Sequence, residues 1–130
     1  MSDTDYIRHL HHECDLFVAA AAGNFDKPVP SCPGWTVRDL VEHMWGVYAW
    51  WGLVAERRLQ DPADVSEDDE PKIPADEELL DGVVKEVEKL IQAVRHADPS
   101  EPIWTWSVNK TMSFIPRRMA NESSIHRWDC

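Results

Sequence analysis

The sequence predicts an all-α fold, a bundle of four helices, and three observations carry that prediction. Apolar residues recur at three- and four-residue steps in four separate stretches, and no stretch shows a convincing period-two alternation. Every proline except Pro116 falls in the connections between those stretches. A chain of 130 residues makes one compact domain, able to bury roughly two thirds of its unfolded surface, with no room for a second.

The first helix opens near Asp3 or Thr4 as N-cap. It carries Ile7, Leu10, Cys14, Phe17, Val18 and Ala21 on one face and stops at Gly23. The connection that follows, NFDKPVPSCPG, holds three prolines and a glycine, so it must be irregular and is expected to cross one end of the bundle. Thr36 starts the second helix. Asp39 stands three residues on, as in a capping box, and Trp35 is positioned to staple onto Leu40. The apolar stripe runs from Val37 through Leu40, Val41, Met44, Val47, Tyr48 and Trp51 to Val54 and Ala55, and the helix closes on Glu56, Arg57 and Arg58.

Residues 60–75 read as an acidic, solvated connection without a catalytic pattern. A third helix is expected from Asp76 to His96, with Leu79, Leu80, Val83, Val84, Val87, Leu90, Ile91 and Val94 as its apolar face. Gly82 weakens it by up to about 1 kcal/mol relative to Ala. The segment IWTWSVNKT reads as an extended linker that lays Trp104 and Trp106 on the bundle. The last helix begins at Ser113, with Pro116 in the first turn where its missing N–H breaks no bond, and runs to Cys130 without a stop signal.

The formal net charge is −11, which repels a phosphate backbone or an anionic bilayer and argues against nucleic-acid or membrane partners. Residues 61–81 alone hold ten acids and one base, so the rest of the chain is nearly neutral. The N-terminus lacks the basic lead-in of a secretory signal. No apolar run approaches the ~18 residues of a membrane span, and three scattered cysteines without a CxxC pair suit reduced thiols. A cytoplasmic location is expected.

Chemistry gathers on the last helix, where Ile115, Met119, Glu122, Ile125, His126 and Asp129 lie along one side. Glu122 and His126 are four apart and share a face, so they can share one ion. His43 lies in or beside the apolar stripe of the second helix. A His from one helix opposite Glu-x-x-x-His on another gives the mixed N and O donors of an open zinc site. The same spacing also fits a hydrogen-bonded core histidine and a surface ion pair, and pattern alone does not separate them. Asp129, three after His126, can orient that ring.

His9, His11, His12, Glu13 and Cys14 crowd one turn and read as a solvated face. Cys32 has no cation nearby in sequence and reads as a structural thiol. Arg117, Arg118 and Arg127 read as partners of carboxylates rather than as an anion site. A Gly-rich phosphate loop and a Ser-His-Asp signal are missing from the sequence.

Two blocks, SCPGWTVRDLVEHMWGVYAW and FIPRRMANESSIHRWDC, in that order and about eighty residues apart, closely resemble the mycothiol-dependent maleylpyruvate isomerase family, specifically its N-terminal metal-binding domain of DinB-like type. The resemblance covers nearly the whole chain and implies a DinB-like four-helix bundle. It implies a divalent metal, typically zinc, held by His43, Glu122 and His126, and mycothiol as a low-molecular-weight thiol cofactor. It also implies that the thiolate adds to a cis double bond, rotation follows, and elimination gives the trans product; related members resemble thiol S-transferases. Family members commonly continue past the RWD motif into a C-terminal domain, so residues 1–130 are expected to be the metal-binding domain apparently without that part. Pro116 and Asn121 depart from the family pattern, and neither replaces a ligand.

Two readings follow. One is a metal-binding domain that activates a small thiol toward a small organic substrate. The other is a non-catalytic, metal-stabilised bundle that serves as a protein-interaction or regulatory module, through self-association or a separate C-terminal-domain partner.

Overall fold

Thr36 shows how directly local chemistry sets this fold. Its backbone is extended, its hydroxyl accepts from the Asp39 N–H, and the Asp39 carboxylate accepts from the Thr36 N–H at 2.9 Å, the reciprocal capping box the sequence spells out. The computed structural model describes residues 3–105, 107 and 109–129. Four helices make up the architecture: α1 (Asp3–Ala21), α2 (Val37–Arg57), α3 (Asp76–Arg95) and α4 (Phe114–Asp129). Among the described residues no strand forms.

The helix ends have readable reasons. Beyond α1, Gly23 takes a φ of +75°, the left-handed conformation that glycine adopts without a Cβ penalty. Beyond α2, Arg58 takes the same region with φ 48°, unusual for a side-chain-bearing residue. Its guanidinium is held by Glu101 at 3.0 Å and by the Glu56 carbonyl at 3.0 Å. Pro116 lies in the first turn of α4, as its missing N–H requires.

Helix α1 packs chiefly on α4, and α2 chiefly on α3. The shared core is built from Leu10, Phe17, Leu40, Met44, Tyr48, Leu90, Ile91, Ile115 and Met119, all essentially inaccessible to solvent. Each large side chain of this kind contributes roughly 1.5–3 kcal/mol of hydrophobic stabilisation. Two residues expected on apolar faces are turned outward: Val84 on α3 and Ile125 on α4 are exposed. Val84 follows the buried Val83 and falls at the margin of the buried face, whereas Ile125, two residues past the buried Ser123, is carried about 200° round the helix and faces outward.

The irregular connection after α1 crosses the bundle end, tied by the Val29 N–H to the Trp35 carbonyl and by the Val37 N–H to the Lys27 carbonyl. The acidic connection is mostly exposed but not shapeless. It makes two short 3₁₀ turns, Pro62–Asp64 and Glu67–Asp69, Asp69 pairs with Arg57 at 3.3 Å, and Pro74 presses against Gly82. Gly82 is thus the point where loop and helix meet: a Cβ there would stand 2.8 Å from Pro74 Cγ and 3.3 Å from Trp45 Cδ1. In the linker before α4, Trp104 stacks on Trp51 with ring centroids 6.1 Å apart. Trp106 and Cys130 lie outside the described residues. Among the described residues, no helix is long and apolar enough to cross a membrane.

Candidate metal centre

Helix geometry decides where the polar side chains of α4 go. Glu122 and His126 stand one turn apart, each about 15% exposed, and the His126 Nε2 atom lies 3.2 Å from Glu122 Oε2. The second turn of α2 brings His43 to the same place, its ring 5.1 Å from that of His126 in an edge-to-face arrangement. One donor atom from each of His43, Glu122 and His126 lies within 4.8 Å of the others. Among the described residues this is the one cluster of three such donors.

The surroundings prepare the donors. His126 Nδ1 lies 3.0 Å from Asp129 Oδ2, and an N–H donated there leaves the Nε2 lone pair facing the cluster. Asp129 is itself fixed from the bundle end, because the Ser31 hydroxyl donates to its other oxygen at 2.6 Å. Arg118 donates to Glu122 Oε1, which leaves Oε2 turned toward His126. The His43 ring is held below its ordinary titration range, first by loss of hydration and then by the neighbouring His126, with Glu122 opposing; it therefore favours the neutral form that can ligate.

These residues fit a divalent ion on chemical grounds. With Nδ1–H given to Asp129, the Nε2 lone pair and a carboxylate oxygen face each other at 3.2 Å, an arrangement that repels unless a proton or a cation lies between them. Two ligands on tetrahedral zinc, with bonds of about 2.0–2.1 Å, stand roughly 3.3 Å apart. Two imidazoles and one carboxylate form the donor set of a site that keeps one position open. Beside His43 lies an open cleft of about 780 Å³, walled by Trp35, Trp50 and Trp51 and rimmed by Asp39 and Glu42.

Other sequence candidates fall elsewhere. His9, His11 and His12 are exposed as expected, with His11 2.8 Å from Glu88, but Glu13 and Cys14 of the same turn are buried. Glu13 is only 5% exposed and accepts from the Arg127 guanidinium, a pairing that compensates its lost hydration. Cys14 is a core thiol hydrogen-bonded to the Tyr48 hydroxyl, and burial pushes it up to about 12. Cys32 is half-buried and free. Trp35, expected to staple onto Leu40, is 37% exposed with its ring edge-on to His43.

Arg118 pairs with a carboxylate as expected, that of Glu122, whereas sequence reasoning misses Ser31 and the tryptophan-walled cleft. A buried polar link also escapes it: the Tyr48 hydroxyl meets Ser123 Oγ at 2.5 Å, and Ser123 donates in turn to the Met119 carbonyl at 2.8 Å.

Fold and donor cluster together define a class of small helical bundle that gathers two histidines and a glutamate from two helices beside a cleft. Within it, the family described as the mycothiol maleylpyruvate isomerase N-terminal domain matches residues 7–130, and the chain belongs to that family. Among curated proteins and among solved structures, none matches the chain.

Proposed function

We propose that this domain holds a divalent ion, zinc by its donor set, through His43, Glu122 and His126, and uses it to activate a low-molecular-weight thiol, mycothiol by its family. The observation that carries the reading is the convergence of the three donor atoms from α2 and α4 within 4.8 Å, with His43 lining an open cleft. A divalent ion bound there supplies positive charge that favours the deprotonated, nucleophilic form of a thiol at neutral pH.

The chain's own residues supply the rest. Asp129 holds the His126 ring in the ligating tautomer, and Arg118 fixes the Glu122 carboxylate. The indoles of Trp35, Trp50 and Trp51 offer apolar surface on which the body of a thiol or a small organic acceptor can lie. The chemistry such a site serves is addition of the thiol sulfur to an activated carbon. In an isomerisation the new C–S bond forms as the double bond opens, rotation follows, and the same bond breaks to return the thiol. In a transfer the C–S bond persists, and either the double bond's other carbon takes up the proton the thiol gave up or a leaving group departs from the attacked carbon with its bonding pair. A small thiol and a small organic acceptor suit a cytoplasmic role.

The test is metal content, by elemental analysis of untagged protein purified without added metal, beside a His43→Ala, Glu122→Ala, His126→Ala variant. About one zinc-like ion per chain, lost in the variant, is expected. A wild type that stays metal-free when zinc is supplied overturns the reading.

A further inference from the structure

Three glycines lie inside helices, and two of them face packed neighbours. A Cβ at Gly52 would sit in ordinary contact with Leu90, 3.8 Å from its Cα, and one at Gly82 would collide with Pro74. Gly46 is different. It lies in the middle of α2, where glycine weakens a helix relative to alanine, and its φ is not positive. A Cβ built on it meets nothing within 4 Å. Neither backbone conformation nor packing calls for a glycine there.

What the missing side chain leaves is space in the cleft. Gly46 stands three residues after His43 and four before Trp50, so all three share one face of α2, and all three line the cleft. The wall beyond it is braced: Trp50 sits edge-on to Trp104 at 6.1 Å, and Trp104 stacks on Trp51. An indole supported from behind cannot retreat easily when a larger side chain at position 46 extends into the cleft.

We infer that Gly46 is a specificity-determining residue, the floor of a subsite for the non-sulfur body of the thiol whose sulfur reaches the His43, Glu122 and His126 cluster. The inference rests on the proposed thiol-activating reading and deepens it. A bulky thiol must cross Gly46 to lie against Trp50, whereas a minimal thiol does not reach that far.

The experiment loads wild type, Gly46→Ala and Gly46→Leu with cobalt(II). Each is titrated with 2-mercaptoethanol and with mycothiol, followed by sulfur-to-cobalt charge-transfer absorption. Gly46→Leu is expected to bind cobalt and 2-mercaptoethanol as wild type does, and to bind mycothiol at least about tenfold more weakly, the scale at which a filled pocket excludes a ligand. Gly46→Ala is expected to raise the melting temperature by about 4 °C through helix propensity while weakening mycothiol about threefold, so the test survives if the leucine variant does not fold. Unchanged mycothiol affinity in either folded variant overturns the inference alone. A lower melting temperature for Gly46→Ala also overturns it, since that reveals a packing role. Failure of cobalt-loaded wild type to bind either thiol overturns the thiol reading and this inference with it.

Discussion

Replacing Gly82 by alanine sets two effects of opposite sign against each other, and the structure decides between them. Helix propensity favours the substitution by about 1 kcal/mol, since Gly82 lies inside α3. Against this, the added Cβ would stand 2.8 Å from Pro74 Cγ, about 0.7 Å inside the ~3.5 Å at which two carbons pack comfortably. On its other flank is Trp45 Cδ1 at 3.3 Å, part of a nearly buried indole. The proline ring is rigid, so relief requires the chain before α3 to move. Overpacking of this kind costs typically 1–3 kcal/mol. The net expectation is a loss of up to about 2 kcal/mol and a fall in melting temperature of several degrees. Thermal and urea unfolding of wild type, Gly82→Ala and the double variant Gly82→Ala with Pro74→Ala would measure it. The double variant should recover much of the loss, because the clash disappears with the ring. A single variant more stable than wild type would refute the reasoning and show that the acidic connection yields freely.

The other predictions are brief. Asp129→Asn replaces an acceptor by an amide that can donate to His126 Nδ1 and move the ring proton to the ligating nitrogen. Zinc affinity, read by competition with a chromophoric chelator, should fall ~10–100-fold with the fold retained, and an unchanged affinity would remove Asp129 from the site. Cys14 should resist iodoacetamide at pH 8 until the protein is unfolded, as mapped by mass spectrometry, because its buried thiol is pushed up to about 12. The same shift fixes a sign. Between pH 9.0 and about 12 the unfolded chain gives up the Cys14 proton that the folded chain keeps, so this group lowers stability as pH rises through that window. Stability flat across the range in wild type, with no difference from Cys14→Ser, would count against it.

What is legible in the sequence is what depends on neighbours along the chain. The Thr36 capping box, the Gly23 stop and the three-residue step from His126 to Asp129 are local, and each takes the geometry its spacing implies. The pairing of Glu122 with His126 is equally legible, whereas their meeting with His43 depends on how α2 and α4 lie together, which periodicity does not encode. Glu13 reads as solvated from its neighbours alone because its partner, Arg127, lies 114 residues away. Ser31 escapes for the same reason, 98 residues from Asp129. Gly82 is legible only as a weak helix former, since its contact is with a loop.

The division of the bundle gives the donor cluster a mechanical character. Its two closest pairings are α1 with α4 and α2 with α3, yet His43 rides on α2 while Glu122 and His126 ride on α4. The donors therefore straddle the seam between the two halves. The shared core holds the two halves in register, and a shift of one past the other would part the three donor atoms as well as break that packing. An ion bridging that seam would act as a rivet, tying segments on the order of 80 residues apart and so removing a long loop's worth of chain freedom. Metal affinity would then report the alignment of the two halves more finely than any measure of helical content.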